Sequence, residues 1–233
     1  MLKSLQLALR EHASESDTRQ LSCYFKTGPG EYGEGDRFIG VRVPVVRKIA
    51  RKYQKSASLS DVQELLTSPV HEERLLALII LIHKYNGAPE HIRESIYAMY
   101  LNHTRYINNW DLVDTSAEHI VGAHLYNRPR QPLYELAASD SLWDRRIAIM
   151  ATFHFIKKNE FGDTLKIAEM LVADTEVLIH KAVGWMLRET GKRDRPAEEE
   201  FLKKHRLRMP RTMLRYAIEK FPEDLRQWYL HGS

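Results

Sequence analysis

The sequence predicts an all-α protein built as a solenoid of stacked helix pairs, and three observations carry that prediction. Segment after segment shows apolar residues at helical spacing, broken by short Gly, Pro, Ser or Asp interruptions. Strand patterns are nearly absent. Chemically distinctive side chains also recur at an almost constant interval, with Arg74, Trp110, Arg146 and Lys181 following one another at 36, 36 and 35 residues. A repeat of that length marks a stacked helical array.

Taken in order, helical patterning covers residues 2–12, 16–25, 44–53, 60–66, 71–85, 89–103 and 106–126. It resumes over 131–139, 142–157, 162–172, 176–189, 197–205 and 210–221. Glu73-Arg74-Leu75-Leu76-Ala77, Arg145-Arg146-Ile147-Ala148-Ile149 and His180-Lys181-Ala182-Val183-Gly184 each begin polar and turn apolar, so the same helix of successive repeats is expected to carry them. Ala77, Ala148 and Gly184 are expected where helices approach closely. No shift of composition marks a linker, and residues 1–233 read as one domain.

The exception to the helical pattern is Thr27-Gly28-Pro29-Gly30-Glu31-Tyr32-Gly33-Glu34-Gly35-Asp36. It contains a GxGxxG string, but a dinucleotide fold needs a strand before it and a helix after it. Here a helical segment precedes and an extended 37–41 follows, so a connecting loop is expected, with phosphate contact through bare backbone as the functional variant.

With 43% apolar residues the chain has ample material for a core. Its 35 basic and 31 acidic residues leave a charge of +4, which permits nucleic-acid binding without requiring it. The distribution says more. Residues 41–60 contain no acid but hold Arg42, Arg47, Lys48, Arg51, Lys52 and Lys55, and 201–218 likewise hold Lys203, Lys204, Arg206, Arg208, Arg211 and Arg215. These are either two phosphate-binding patches or two solvated helix faces. The lone Cys23 excludes an internal disulfide and a cysteine-rich zinc site, which fits a reducing cytosol. The longest aliphatic run, 75–82, is too short to span a bilayer, and the N-terminal segment lacks a signal-peptide core. A cytoplasmic protein is expected.

Metal and nucleophile templates fail. Among 11 histidines there is no His-Glu-x-x-His, and His119 and His124 stand five apart, off a shared helix face. Neither a nucleophile elbow nor a phosphate loop occurs. No metal or cofactor is expected. What stands out is Trp110 and Asp114, four residues apart and therefore on one helix face, with Trp185 likewise four beyond Lys181. The bland readings are core packing for the tryptophans, solvation or capping for Asp114 and Asp111, and surface pairing of Arg145 and Arg146 with Asp140 and Asp144. The joint placement on one ladder favours function: two indoles, a carboxylate and several cations suit an anionic polymer bearing a cationic group.

Tyr24-Phe25-Lys26-Thr27-Gly28, Gly40-Val41-Arg42-Val43-Pro44, Asn109-Trp110-Asp111-Leu112-Val113-Asp114, Arg145-Arg146-Ile147-Ala148-Ile149 and 181–189, in this order, resemble the AlkD-type DNA alkylation repair glycosylases over most of the chain. The resemblance implies a superhelical array of HEAT-like repeats whose concave face holds duplex DNA and from which N3- and N7-alkylated purines are released. It also implies roles: Asp114 matches the catalytic aspartate, Trp110 and Trp185 the tryptophans flanking the lesion, and Arg146 the arginine beside them, the last preferred to Arg145 because it lies on the ladder. Relatives that have lost activity typically change at these positions; this chain keeps all four.

Chemistry agrees. A purine alkylated at N3 or N7 is a cation and leaves as a neutral base, so positive charge moves to the sugar, and a carboxylate near C1′ stabilises the oxocarbenium-like transition state. Indole faces recognise the cation. Arg42, Lys48, Arg74, Arg145, Lys181, Arg208, Arg211 and Arg215 are expected to hold phosphates of duplex DNA, in a protein acting as a monomer. The competing class is a catalytically silent helical-repeat module that binds nucleic acid or protein through the same face.

Overall fold

A computed structural model describes residues 1–232. Helices dominate it, and an isolated bridge between Arg37 and Val70 is the sole β pairing among the described residues. The helices gather into two compact units, Met1–Ser116 and a second from Ala117 onward.

The first unit runs α1 (Leu2–Arg10), α2 (Glu15–Tyr24), α3 (Val43–Tyr53), α4 (Leu59–Leu66), α5 (His71–Tyr85), α6 (Glu90–Asn102), a 3₁₀ turn and α7 (Trp110–Ala117). Local chemistry sets the starts. Ser14 caps α2 by accepting from the Asp17 amide, and Ser58 and Asp61 form a capping box on α4. Those hydrogen bonds from Ser58 hold the Asp61 carboxyl down at about 2. Buried on every side from His71 to Leu81, α5 is wrapped by α1, α3, α4 and α6. Leu76, Leu78, Ile80 and Leu81 are fully buried there against Val46, Leu65 and Leu66, each worth roughly 1.5–3 kcal/mol of transfer free energy.

The second unit opens with a π-helical turn (Glu118–Gly122) and continues through α8 (Ala123–Leu125), α9 (Gln131–Ala137), α10 (Leu142–Ala151), α11 (Phe153–Ile156), α12 (Gly162–Met170), α13 (Val177–Gly191), α14 (Arg195–His205), α15 (Arg211–Ala217), a 3₁₀ turn (Ile218–Lys220) and α16 (Glu223–His231). Here α10 and α13 are central, packed on each other, on α9 and on α14 and α15. Gly184 brings α13 against α15: a Cβ there would lie 2.5 Å from the Met213 carbonyl oxygen. Ala77 and Ala148 are fully buried at the corresponding places in α5 and α10.

Three boundaries differ from expectation. Residues 106–126 do not form one uninterrupted α-helix, and 142–157 breaks at Thr152 between α10 and α11. α16 lies beyond the last predicted segment because Glu-Asp-Leu-Arg-Gln-Trp-Tyr-Leu-His is short and mostly polar, with Tyr229 its one buried residue. No helix of the described residues is long and apolar enough to cross a membrane.

Candidate nucleic-acid interface and active site

The ladder is a property of the fold: Arg74, Trp110, Arg146 and Lys181 each fall within the first five residues of α5, α7, α10 and α13. Their surroundings differ sharply.

In the first unit, α7 begins at Trp110, after Asn109, whose side-chain oxygen accepts from the Trp110 amide at 2.8 Å. One turn on comes Asp114; both side chains are half-buried. The Trp110 ring stacks on Phe25 at 5.1 Å and 23° and meets the edge of Tyr24 at 5.8 Å. Its indole N–H donates to the Tyr32 hydroxyl. Phe25 stacks in turn on Phe38 at 5.1 Å, and Phe38 on His71 at 4.4 Å. The indole is therefore one layer of an aromatic pile, with little rotational freedom left.

Beneath the pile lies an ion cluster. His71 sits between two carboxylates, Nδ1 2.9 Å from Asp36 and Nε2 2.9 Å from Asp111, and Asp36 also receives the Arg74 guanidinium at 2.5 Å and the Asn109 amide at 3.3 Å. Burial alone would push the imidazole down, but the two carboxylates raise it to about 9. Burial would likewise raise Asp36, yet His71 and Arg74 hold it below the usual carboxylate range. Two carboxylates thus face two cations, and every charge has a partner.

This cluster corrects several expectations. Arg74 was expected on a phosphate; it is 3% exposed and spent on Asp36, Asn108 and the Ser68 carbonyl, so it pins the loop to α5 rather than reaching outward. Asp111 is not a solvated or merely capping group, since it anchors the start of α7 to His71. The glycine-rich segment is a connecting loop, as read, but it is not a phosphate cradle. The Gly28 and Gly30 amides are occupied by the Glu31 and Glu34 carboxylates, whose charge repels an anion. Its role is to deliver Tyr32 and Asp36. Another carboxylate completes the wrapping: buried Glu72 accepts from the Ile39, Gly40 and Val41 amides at 2.9–3.2 Å.

In the second unit, Trp185 lies half-buried on α13, one turn beyond half-buried Lys181. Its N–H donates to Glu189 at 3.2 Å, and Phe153 stands 6.0 Å from its ring. Arg146 is 4% exposed, with Nη1 donating to the Leu178 carbonyl in the first turn of α13 at 2.5 Å. That geometry braces α13 against α10. Arg145 pairs with Asp174 at 2.7 Å and with the backbone carbonyls of Ser139 and Asp140, not with the Asp140 or Asp144 carboxylates. Of the remaining expected phosphate contacts, Arg42, Lys48, Arg208, Arg211 and Arg215 are exposed, and Arg42 forms an exposed ion pair with Asp17 at 2.8 Å.

Sequence reasoning missed Tyr32, Asp36, Phe38 and His71. His71 stands three residues before the Arg74 rung, in a polar first turn that opens a largely apolar run, and that is its only local signal. The structure places Trp110 and Asp114 together on α7 and Lys181 and Trp185 together on α13.

Among solved structures the fold is similar to a protein described as a predicted DNA alkylation repair enzyme from Enterococcus faecalis, with a TM-score of 0.70 at 16% identity over 91% of this chain and 98% of that one. It is similar also to AlkD2 from Streptococcus mutans, with a TM-score of 0.54, 16% identity and coverage of 90% and 99%. The smu.31 protein of Streptococcus mutans UA159 gives 0.54 at 18% identity, covering 78% and 93%. No curated protein matches the sequence significantly. These likenesses place the helical-repeat architecture among known folds, and a family model described as DNA alkylation repair enzyme matches residues 5–221. Nearly the whole sequence thus carries that pattern, and the chain belongs to the DNA alkylation repair enzyme family.

Proposed function

We propose that this protein is a monofunctional DNA glycosylase that excises positively charged N3- and N7-alkylated purines, such as 3-methyladenine and 7-methylguanine, from duplex DNA. The observation that carries the reading is the pairing on α7 of an indole held in an aromatic stack with a carboxylate one turn away. Family membership supports the repair role.

In this reading the leaving base is already cationic, so no general acid is needed. As the bond to C1′ lengthens, charge passes to the sugar, and the Asp114 carboxylate stabilises it and orients the attacking water. Trp110 offers its π face to the cationic purine or the sugar, worth roughly 0.5–2 kcal/mol. Because Phe25, Tyr24 and Tyr32 hold the ring in place, little conformational entropy is lost on engagement. Trp185 serves similarly, oriented by Glu189. Arg146 acts by holding the first turn of α13, which carries Lys181 and Trp185. Duplex DNA is held by Arg42, Lys48, Lys181, Arg208, Arg211 and Arg215, and the protein acts as a monomer in the cytoplasm.

The test is release of free 7-methylguanine from methylated duplex by the purified protein, with Asp114→Asn abolishing release while leaving duplex binding intact. Duplex binding by the wild type with no base released would overturn this reading in favour of a silent DNA-binding module.

A further inference from the structure

The second unit holds a partly open cavity of about 190 Å³ between the end of α13, the start of α14 and the 3₁₀ turn after α15. Arg188, Lys192, Arg195 and Lys220 line it, together with Glu198 and Phe221. Glu198 is the unusual member. It is 1% exposed, and its Oε1 has no hydrogen-bond partner among the described residues. Space for it comes from Gly191, where a Cβ would lie 1.6 Å from the Glu198 Oε2.

The surrounding cations do not neutralise this carboxyl. Arg188 pairs with Glu219, Lys192 with Glu189 at 2.6 Å, Lys220 with Glu219 at 2.9 Å, and Arg195 with Glu199 at 2.8 Å while its guanidinium lies over the Phe221 ring. Four cations therefore face three rim carboxylates, with Tyr229 of α16 also near Glu198. A lining residue carries a second such atom: buried Arg188 Nε, 3.7 Å from Glu189, has no hydrogen-bond acceptor among the described residues. Burial outweighs the lowering effect of Arg195 and Arg188 and pushes Glu198 up to about 8, so at neutral pH the carboxyl is mostly protonated. As an acid it donates a hydrogen bond, so the rim is net positive and its inner wall adds a donor.

We propose that this cavity binds a small tetrahedral oxyanion, sulfate or a phosphoryl group, held by hydrogen bonds from the lining Arg188 guanidinium and Glu198 carboxyl and electrostatically by Lys192, Arg195 and Lys220. A cation would be repelled by the same rim, and an apolar guest would leave both buried polar atoms unsatisfied. The inference is independent of the glycosylase reading.

The test is calorimetric titration with inorganic sulfate, whose charge is constant through neutral and mildly alkaline pH, with circular dichroism to verify folding. Saturable one-to-one binding is expected in the wild type, weakening as pH rises past about 8 because the Glu198 donor is lost. Glu198→Gln keeps a neutral donor and is expected to bind comparably at neutral pH and to lose that pH dependence. Arg188→Gln is expected to weaken binding about tenfold or more, the scale of a hydrogen bond to a charged group. Should that variant misfold, Lys220→Gln, at an exposed side chain, supplies the second measurement and is expected to weaken binding in the same direction. No saturable sulfate binding, or unchanged affinity in folded Arg188→Gln and Lys220→Gln proteins, would overturn the proposal. Phosphorylated and hydroxyl-terminated dinucleotides titrated in parallel identify the source of the group. Preference for the phosphorylated one over sulfate assigns a strand end, and equal affinity assigns the free ion.

Discussion

His71 Nε2 stands 2.9 Å from Asp111, the residue beside Trp110, while its other ring nitrogen holds Asp36 at 2.9 Å. One buried imidazolium thereby ties the glycine-rich loop to the start of the helix that carries the candidate catalytic pair. Because the ring titrates at about 9 in the folded chain against 6.5 ordinarily, its contribution is fully present below about pH 6.5 and is lost as pH rises through about 9. The difference corresponds to roughly 3 kcal/mol. Denaturant melts across this window should show stability declining in the wild type, with the decline flattened in His71→Asn. That variant should also be less stable at neutral pH by about 3–5 kcal/mol, as when one partner of a buried ion pair is removed. Equal pH profiles for the two proteins would remove His71 from this role.

Glu72 satisfies three consecutive backbone amides that no strand pairs. Glu72→Ala leaves them buried without acceptors, at a cost of about 1–3 kcal/mol for each unsatisfied group. Hydrogen exchange at Gly40 and Val41 should accelerate well beyond the change seen in α6, and exchange that rises equally everywhere would show only global destabilisation.

If Asp114 stabilises the developing sugar cation, Asp114→Asn should lower single-turnover base release by about 10²–10³-fold while leaving duplex binding largely intact. Trp110→Ala should lower release from a cationic lesion more than it weakens binding to undamaged duplex. Phe25→Ala should resemble it while also costing about 3–5 kcal/mol of stability, since the stack loses its middle layer. Full activity in Phe25→Ala would show that the stack does not position the indole.

Two classes of arginine should separate by salt. Exposed Arg211 and Arg215 are expected to contribute to counterion release, so each substitution by Gln should flatten the log-log salt dependence of duplex binding by about one unit. Arg74→Gln should leave that slope unchanged and lower stability instead, because its charge is already matched by Asp36. A flattened slope in a folded Arg74→Gln protein would return Arg74 to the DNA-binding set.

Helical periodicity and the spacing of the ladder were legible along the chain because both are local. A side chain at i+4 lies one turn above its neighbour whatever packs around it. Hence the central helices, the close approach at Gly184 and the pairing of Trp110 with Asp114 could be read directly. Tertiary structure alone decided which rungs look outward. Arg74 and Arg146 occupy ladder positions like those of Trp110 and Lys181, yet Asp36, 38 residues away in sequence, buries one, and the Leu178 carbonyl on a neighbouring helix holds the other. Long-range partners of that kind leave no periodic trace. The charge state of His71 and the fixing of the Trp110 ring were likewise settled by the folded loop, which removes water from groups that look ordinary in the sequence and surrounds each with fixed partners.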